Sequence, residues 1–191
     1  MGTDYGLCVK DMSTTLPVKE YIRRFRNVEM FMRRCMECRN YNMTWGCPPY
    51  ACDIEEELRH YNSIMITVTV ISLSGDRIPL AEWAAITAPQ RERLEKMFLV
   101  KEKELGGKAF GFGSTCRHCP DGECTRPQGL PCRHPELVRP SLEAYGFDIG
   151  KTLSELFDIE LVWGKEGFMP EYITLVSGCL FDKKVQCLQE P

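Results

Sequence analysis

The 191-residue sequence predicts an α+β fold, or an α/β one, with a mixed sheet of about four strands, helices and two cysteine-rich metal-binding loops. Three observations predict it. Apolar residues first recur at three- and four-residue intervals, as on one face of a helix; later they gather into short β-branched runs, as in strands; and two groups of closely spaced cysteines interrupt the pattern. The length suits one hydrophobic core, so residues 1–191 are read as a single domain, with a first cysteine loop at 35–52 and a second at 116–132.

Between residues 18 and 35, Tyr21, Ile22, Phe25, Val28, Phe31 and Met32 keep the helical period, over one amphipathic helix or two short ones leading into the first cysteines. Asp53, with Glu56 three residues on, reads as a capping box for a short helix carrying Ile54, Leu58 and Tyr61 on one face. Residues 64–71 are rich in isoleucine, valine and threonine and too short for a typical helix, which predicts a strand buried on at least one face. A helix is expected over 88–105, with Thr87 as cap, Pro89 in its first turn, Gln90 three residues after the cap and Gly106-Gly107 to stop it. Residues 108–113 read as another strand. Beyond the second cysteine loop, helical segments near 141–145 and 150–157 precede strands near 159–163 and 172–181. The two cysteine groups differ in spacing and flanks, so they are not read as a duplicated unit.

Charge and hydropathy narrow the function. With 24 basic and 27 acidic residues the net charge is −3, which gives no long-range attraction to nucleic acid. The longest apolar run, residues 63–73, is far too short to cross a bilayer, and residues 1–4 do not begin a signal peptide. A reducing cytoplasm is therefore the expected compartment. There, eleven cysteines point to metal binding or thiol chemistry, because disulfides seldom persist under cytosolic conditions.

Cys116, Cys119, Cys124 and Cys132 fall within 17 residues, among Pro120, Gly122, Pro127, Gly129 and Pro131. These bar regular structure and let the loop fold round an ion or cluster. Four thiolates complete the coordination of an iron–sulfur cubane or of tetrahedral zinc. One close pair followed by singletons is unlike two well-separated zinc-ribbon pairs, and favours the cluster, although the spacing matches neither standard ferredoxin run. In the first group, Cys35 and Cys38 are followed by Cys47-Pro48-Pro49 and Cys52, with Tyr41 and Trp45 placed to shield a cluster from water. Two arrangements stay open. Cys52 completes the set; or three cysteines leave an open iron position, or are completed by Cys8, Cys179 or Cys187.

These stretches carry a resemblance to the family of predicted metal-binding proteins called domain of unknown function 2284. It runs over residues 21–49, through Cys-Met-Glu-Cys-Arg-Asn-Tyr-Asn-Met-Thr-Trp-Gly-Cys-Pro-Pro, and over 116–148, through Cys-Arg-His-Cys, Pro-Cys-Arg-His-Pro and Arg-Pro-Ser-Leu-Glu-Ala-Tyr-Gly-Phe-Asp. The recurring cysteines come with Trp45, Pro48, Pro49 and Glu143. The resemblance implies metal binding of the iron–sulfur kind and supplies no reaction.

Other residues have two readings each. Arg33, Arg34 and Arg39 flank the first group, and Arg117, Arg126, Arg133 and Arg139 the second. They would stabilise an anionic cluster or dock an acidic partner, or form a solvated basic face. Gly106, Gly107, Gly111 and Gly113 match no phosphate-binding fingerprint and read as close backbone approach to the metal loop. His118 and His134 adjoin ligand cysteines, but a residue beside a ligand normally points away. Ser141 reads as a helix cap with Glu143 in the first turn.

The expected function is an iron–sulfur redox protein, holding one or two [4Fe-4S] clusters and passing electrons to a partner enzyme or reducing a small molecule itself. Its partner is then a redox protein rather than nucleic acid or membrane. The alternatives are a zinc-binding interaction module and a thiol enzyme using Cys47 or Cys52 as nucleophile.

Overall fold

The computed structural model describes residues 6–74, 77–113, 115–119 and 123–182. Four strands, β1 (Cys8–Pro17), β2 (Ser63–Ser72), β3 (Lys108–Phe110) and β4 (Tyr172–Phe181), form one sheet in the order β1-β2-β4-β3. Every ladder in it is antiparallel, so the fold is α+β and the expected mixture of directions is absent from this sheet. Five helices accompany it: α1 (Val18–Phe25), α2 (Val28–Met36), α3 (Ile54–Arg59), α4 (Trp83–Leu105) and α5 (Ile149–Phe157).

The central strands β2 and β4 alternate apolar residues toward both faces, which is why each reads as a nearly continuous apolar run. Toward one face, Ile64, Ile66, Val68, Val176 and Leu180 meet Val18, Tyr21 and Phe25 of α1, Leu58 of α3 and Leu153 of α5. Toward the other, Ile71, Ile173, Leu175 and Cys179 meet Ile86, Leu94 and Phe98 of α4. A three-layer arrangement results, with the sheet in the middle.

Residues 18–36 form the two-helix version of the expected segment. Arg26 is extended between α1 and α2, its side chain buried beneath Phe147 and bonded to the Tyr145 carbonyl at 2.7 Å. Asn27 caps α2 by accepting from Met30 N at 3.1 Å, and Asp53 caps α3 by accepting from Glu55 N and Glu56 N.

Several boundaries differ from expectation. The α4 helix begins at Trp83, on a 3₁₀ turn at Leu80–Glu82, so Pro89 lies inside it and Thr87 Oγ1 donates to the Trp83 carbonyl rather than capping. The strand at 108–113 stops at Phe110, because Gly111 turns away to pair with Ser141. Residues 141–145 hold only a 3₁₀ turn, Glu143–Tyr145. Residues 159–163 make no strand; Ile159 and Leu161 lean on the core while Trp163 is 70 % exposed. The missing strand is β1, whose polar residues hid it. Its partners are polar too: Ser13 Oγ meets Thr67 Oγ1, and Asp11 accepts from Thr69 and, bidentately, from Arg93 of α4. Arg93 holds the Asp11 carboxyl below the usual carboxylate range.

Gly107 joins α4 to β3 where a Cβ would stand 2.0 Å from the Leu180 carbonyl oxygen. Gly107→Ala should therefore destabilise the protein by about 2 kcal/mol or more, the order of a core overpacking. Urea unfolding checks it, and an unchanged midpoint would contradict the close approach.

Candidate metal centre

Both cysteine loops lie past the β3 end of the sheet and are bound to each other. Cys35 sits in the last turn of α2, and a run of tight turns follows: Cys38 N bonds Cys35 O, Tyr41 N bonds Cys38 O, and Cys47 N bonds Thr44 O. Asn42 at φ 57° reverses the chain and its N–H bonds the Pro48 carbonyl at 2.8 Å. The second loop contributes a 3₁₀ turn, Arg126–Gln128, closed by Gly129.

From that turn Arg126 reaches across. Its guanidinium donates to the carbonyls of Thr44 (2.9 Å), Cys47 (2.5 Å) and Pro49 and to Asn42 Oδ1 (3.1 Å), and it lies 5.0 Å from the centre of the Trp45 ring. Trp45 Nε1 donates to Thr125 Oγ1, which itself donates to the Pro131 carbonyl. Thr115 Oγ1 meets Asn40 Oδ1 at 3.2 Å. Trp45 is thus a strut between the loops.

Cys35, Cys47, Cys116, Cys119, Cys124 and Cys132 are half-buried, while Cys38 and Cys52 are exposed. Burial pushes the Cys35 thiol up, with further upward pushes from Cys47 and Cys38. Burial likewise raises Cys47, which also feels Cys38 and, from the other loop, Cys124. Cys116 is raised by burial and then by Cys124, Cys119 and Cys132. Two sets of thiols therefore share each other's fields, Cys35–Cys38–Cys47 and the four of the second loop, and Cys47 and Cys124 link them. Tyr50 feels Cys47, Cys35 and Cys52 together, and Tyr145 feels Cys52. Among the described residues no three Cys, His, Asp or Glu side chains stand close enough together to hold an ion as placed.

The other three cysteines lie elsewhere or outside the described residues. Cys8 opposes Ser72 at the end of β1, on the far edge of the sheet. Cys179 is fully buried among Phe98, Ala109 and their neighbours, where burial pushes its thiol up to about 11. Cys187 lies outside the described residues, as do Pro120 and Gly122.

The donor set suits a thiolate-bound metal. Asn40 N donates to Cys38 Sγ at 3.5 Å and His134 N to Cys132 Sγ at 3.4 Å, and the His118 backbone does the same for Cys116. In each case the amide two residues after a cysteine faces its sulfur, an arrangement that stabilises negative charge there.

A family model described as predicted metal-binding protein (DUF2284) matches residues 23–181. The chain belongs to this family. No curated protein and no solved structure matches it. The DUF2284 match spans both loops and the strands β2, β3 and β4, while β1 lies ahead of it.

The remaining expected residues divide. Arg139 pairs with Glu102 of α4, whose carboxyl burial raises but Arg139 and the Ala109 amide hold below its ordinary range. Arg33 pairs with Glu29, Arg34 lies over Phe31, and Arg133 donates to Glu123 O. Gly113, expected to approach the metal loop, instead makes room for Glu143: a Cβ there would stand 2.9 Å from Glu143 Oε1. Glu143 Oε2 is buried with no hydrogen-bond partner, and burial pushes this carboxyl above its usual range against the pull of its own backbone N–H and Ser141. Ser141 Oγ accepts from Ala144 N, but the turn there is 3₁₀ and its cap position is Leu142, so the expected helix cap is not formed. Sequence reasoning missed Arg91, which carries a charge on the apolar stripe of α4 shared by Thr87, Leu94 and Phe98. That misplaced cation was the available signal.

Two outcomes are expected. Arg126→Met removes charged hydrogen bonds to three carbonyls and an amide oxygen, so amide exchange across residues 40–49 should quicken roughly 50-fold, about 2–3 kcal/mol of local stability. Hydrogen-exchange mass spectrometry reads it directly, and unchanged exchange contradicts the strut. Cys179, fully buried, keeps its proton in the folded chain above the ordinary thiol value of 9.0, where the unfolded chain has lost it. Stability must then fall as pH rises from 9 toward 11, by about 2 kcal/mol for this group. Urea titrations of the parent and of Cys179→Ala should differ by that slope, and parallel curves would remove it.

Proposed function

We propose that this DUF2284 protein is an iron–sulfur redox protein of the cytoplasm. Cys116, Cys119, Cys124 and Cys132 would hold one cluster, and Cys35, Cys38 and Cys47 a second. When bound, such clusters supply reversible one-electron transfer. One observation carries the reading: Arg126, two residues from Cys124, grips the Cys47 carbonyl and so locks the two thiol loops side by side, which favours two centres in electron-transfer reach over two unrelated staples. The Asn40, His118 and His134 amides would neutralise sulfur charge, and Arg126 would fix the spacing of the loops. Cys35, Cys38 and Cys47 border one cavity and Cys52 is not on its wall, which supports a three-thiolate set with one open position. A redox protein is the partner this reading calls for.

Zinc is the second metal to weigh, since tight interlocking also suits a structural ion. A nucleophilic Cys47 fits less well, because burial raises its thiol where an attacking cysteine needs a lowered one.

Oxygen-free protein should be brown, with about eight irons and eight acid-labile sulfides per chain if both sites hold four-iron clusters. Cys116→Ser should lose about half the iron and Cys52→Ser almost none. Colourless protein with stoichiometric zinc would overturn the iron reading, and loss of iron in Cys52→Ser would overturn the three-thiolate set.

A further inference from the structure

β1 runs ten residues along the outer edge of the sheet, and among the described residues no strand lies beyond it. The direction of its backbone groups follows from the ladder. Cys8 opposes Ser72 and Pro17 opposes Ser63, and Val18 continues this register by donating its N–H to the Asn62 carbonyl at 3.0 Å. Antiparallel strands bond at every second pair, so the even-numbered residues of β1 turn their N–H and C=O groups to β2 and the odd-numbered ones turn theirs outward. β2 agrees: Leu73 N donates to Glu171 O in register with β4, so its odd-numbered residues serve β4 and its even-numbered ones β1.

Val9, Asp11, Ser13 and Thr15, all exposed, therefore present their N–H and C=O groups away from the sheet, and these groups have no hydrogen-bond partner among the described residues. The edge also lacks the usual obstacles to pairing. Proline comes only at Pro17, the last residue of the strand, and no bulge interrupts the register. The Asp11 carboxylate is already paired with Arg93, and Lys10 is the only other charge on the strand.

We propose that two copies of this chain pair through β1, edge to edge and antiparallel, about a two-fold axis perpendicular to the sheet, which joins two four-stranded antiparallel sheets into one of eight strands. The strand's own sequence selects the second copy and fixes the register. The four outward residues map onto themselves only when the axis passes through Met12. Val9 of each copy then bonds Thr15 of the other, and Asp11 bonds Ser13, so every outward N–H and C=O is satisfied. An axis at Asp11 or at Lys10 would set that charge against its own copy, and one at Ser13 would bring Val9 opposite Pro17, which has no N–H to give. About Met12, by contrast, Lys10 faces Thr14, no like charges meet, and the two half-buried Met12 side chains cover each other. The inference holds whichever metal the thiols take.

Sedimentation velocity on oxygen-free, full-length protein should show a species of twice the chain mass that grows between about 1 and 100 µM, since paired edge strands bury less than a standard interface. Val9→Pro and Thr15→Pro each remove an outward N–H that bonds nothing in the single chain. Both should therefore keep the far-UV circular dichroism of the parent and dimerise at least about tenfold more weakly. Met12→Cys reads the register. Opposed Cα atoms of a pair without hydrogen bonds stand about 4.5 Å apart, within disulfide reach, so after diamide oxidation peptide mapping should find position 12 joined to its own copy. This variant leaves every backbone N–H in place, so it carries the test if a proline variant fails to fold. A parent that stays monomeric at about 100 µM, a dimer equally tight in both proline variants, or a dimer with no link from position 12 to itself overturns the proposal.

Discussion

Arg126 is the constraint on which the candidate centre depends. A loop rich in turns exposes carbonyls that no helix or strand satisfies, and each must find a donor. Here one guanidinium, with its fixed fork of donors, satisfies Thr44, Cys47 and Pro49 and an amide oxygen at Asn42. A lysine, with one nitrogen, cannot span those acceptors. Because Arg126 lies two residues from Cys124 and grips the carbonyl of Cys47, it ties the spacing of the two thiol sets to a single rigid group.

The sheet makes that arrangement possible. Loops of this kind lack a core of their own and need a firm edge. Three connections supply it: Cys35 leaves the end of α2, Gly111 leaves β3 to meet Ser141, and Glu102 on α4 ties Arg139 to the start of β3. The brevity of β3 then has a chemical consequence. Where the outer strand stops, the sheet edge, α4 and residues of both cysteine loops enclose a space with apolar and polar residues on its wall.

Membership in DUF2284 makes the chain a predicted metal-binding protein, and both cysteine loops lie within the matched residues. No helix among the described residues is long and apolar enough to cross a membrane. The arginines flanking the cysteines, by contrast, proved to be individuals: Arg139 serves α4, Arg33 serves its own helix, and Arg126 binds one loop to the other. Their shared position in sequence said nothing of those partners, which come from far along the chain.

What could be read directly was whatever local chemistry dictates. The helical period before Cys35, the Asp53 cap, the runs that became β2 and β4, and the α+β class all follow from neighbours in the chain. The strand β1 escaped because an edge strand stabilised by Ser13, Asp11 and Thr69 shows no apolar alternation, and residues 159–163 misled because apolar side chains can line a core without joining a ladder. Only the folded chain decided that Cys179 belongs to the core, that Arg126 grips the first loop, and that Arg91, Ser177 and Glu143 line one cavity. The reason is distance. Those relations join residues tens of positions apart, and they are set by where β3 ends and which carbonyls Arg126 can reach, not by any pattern adjacent residues could carry.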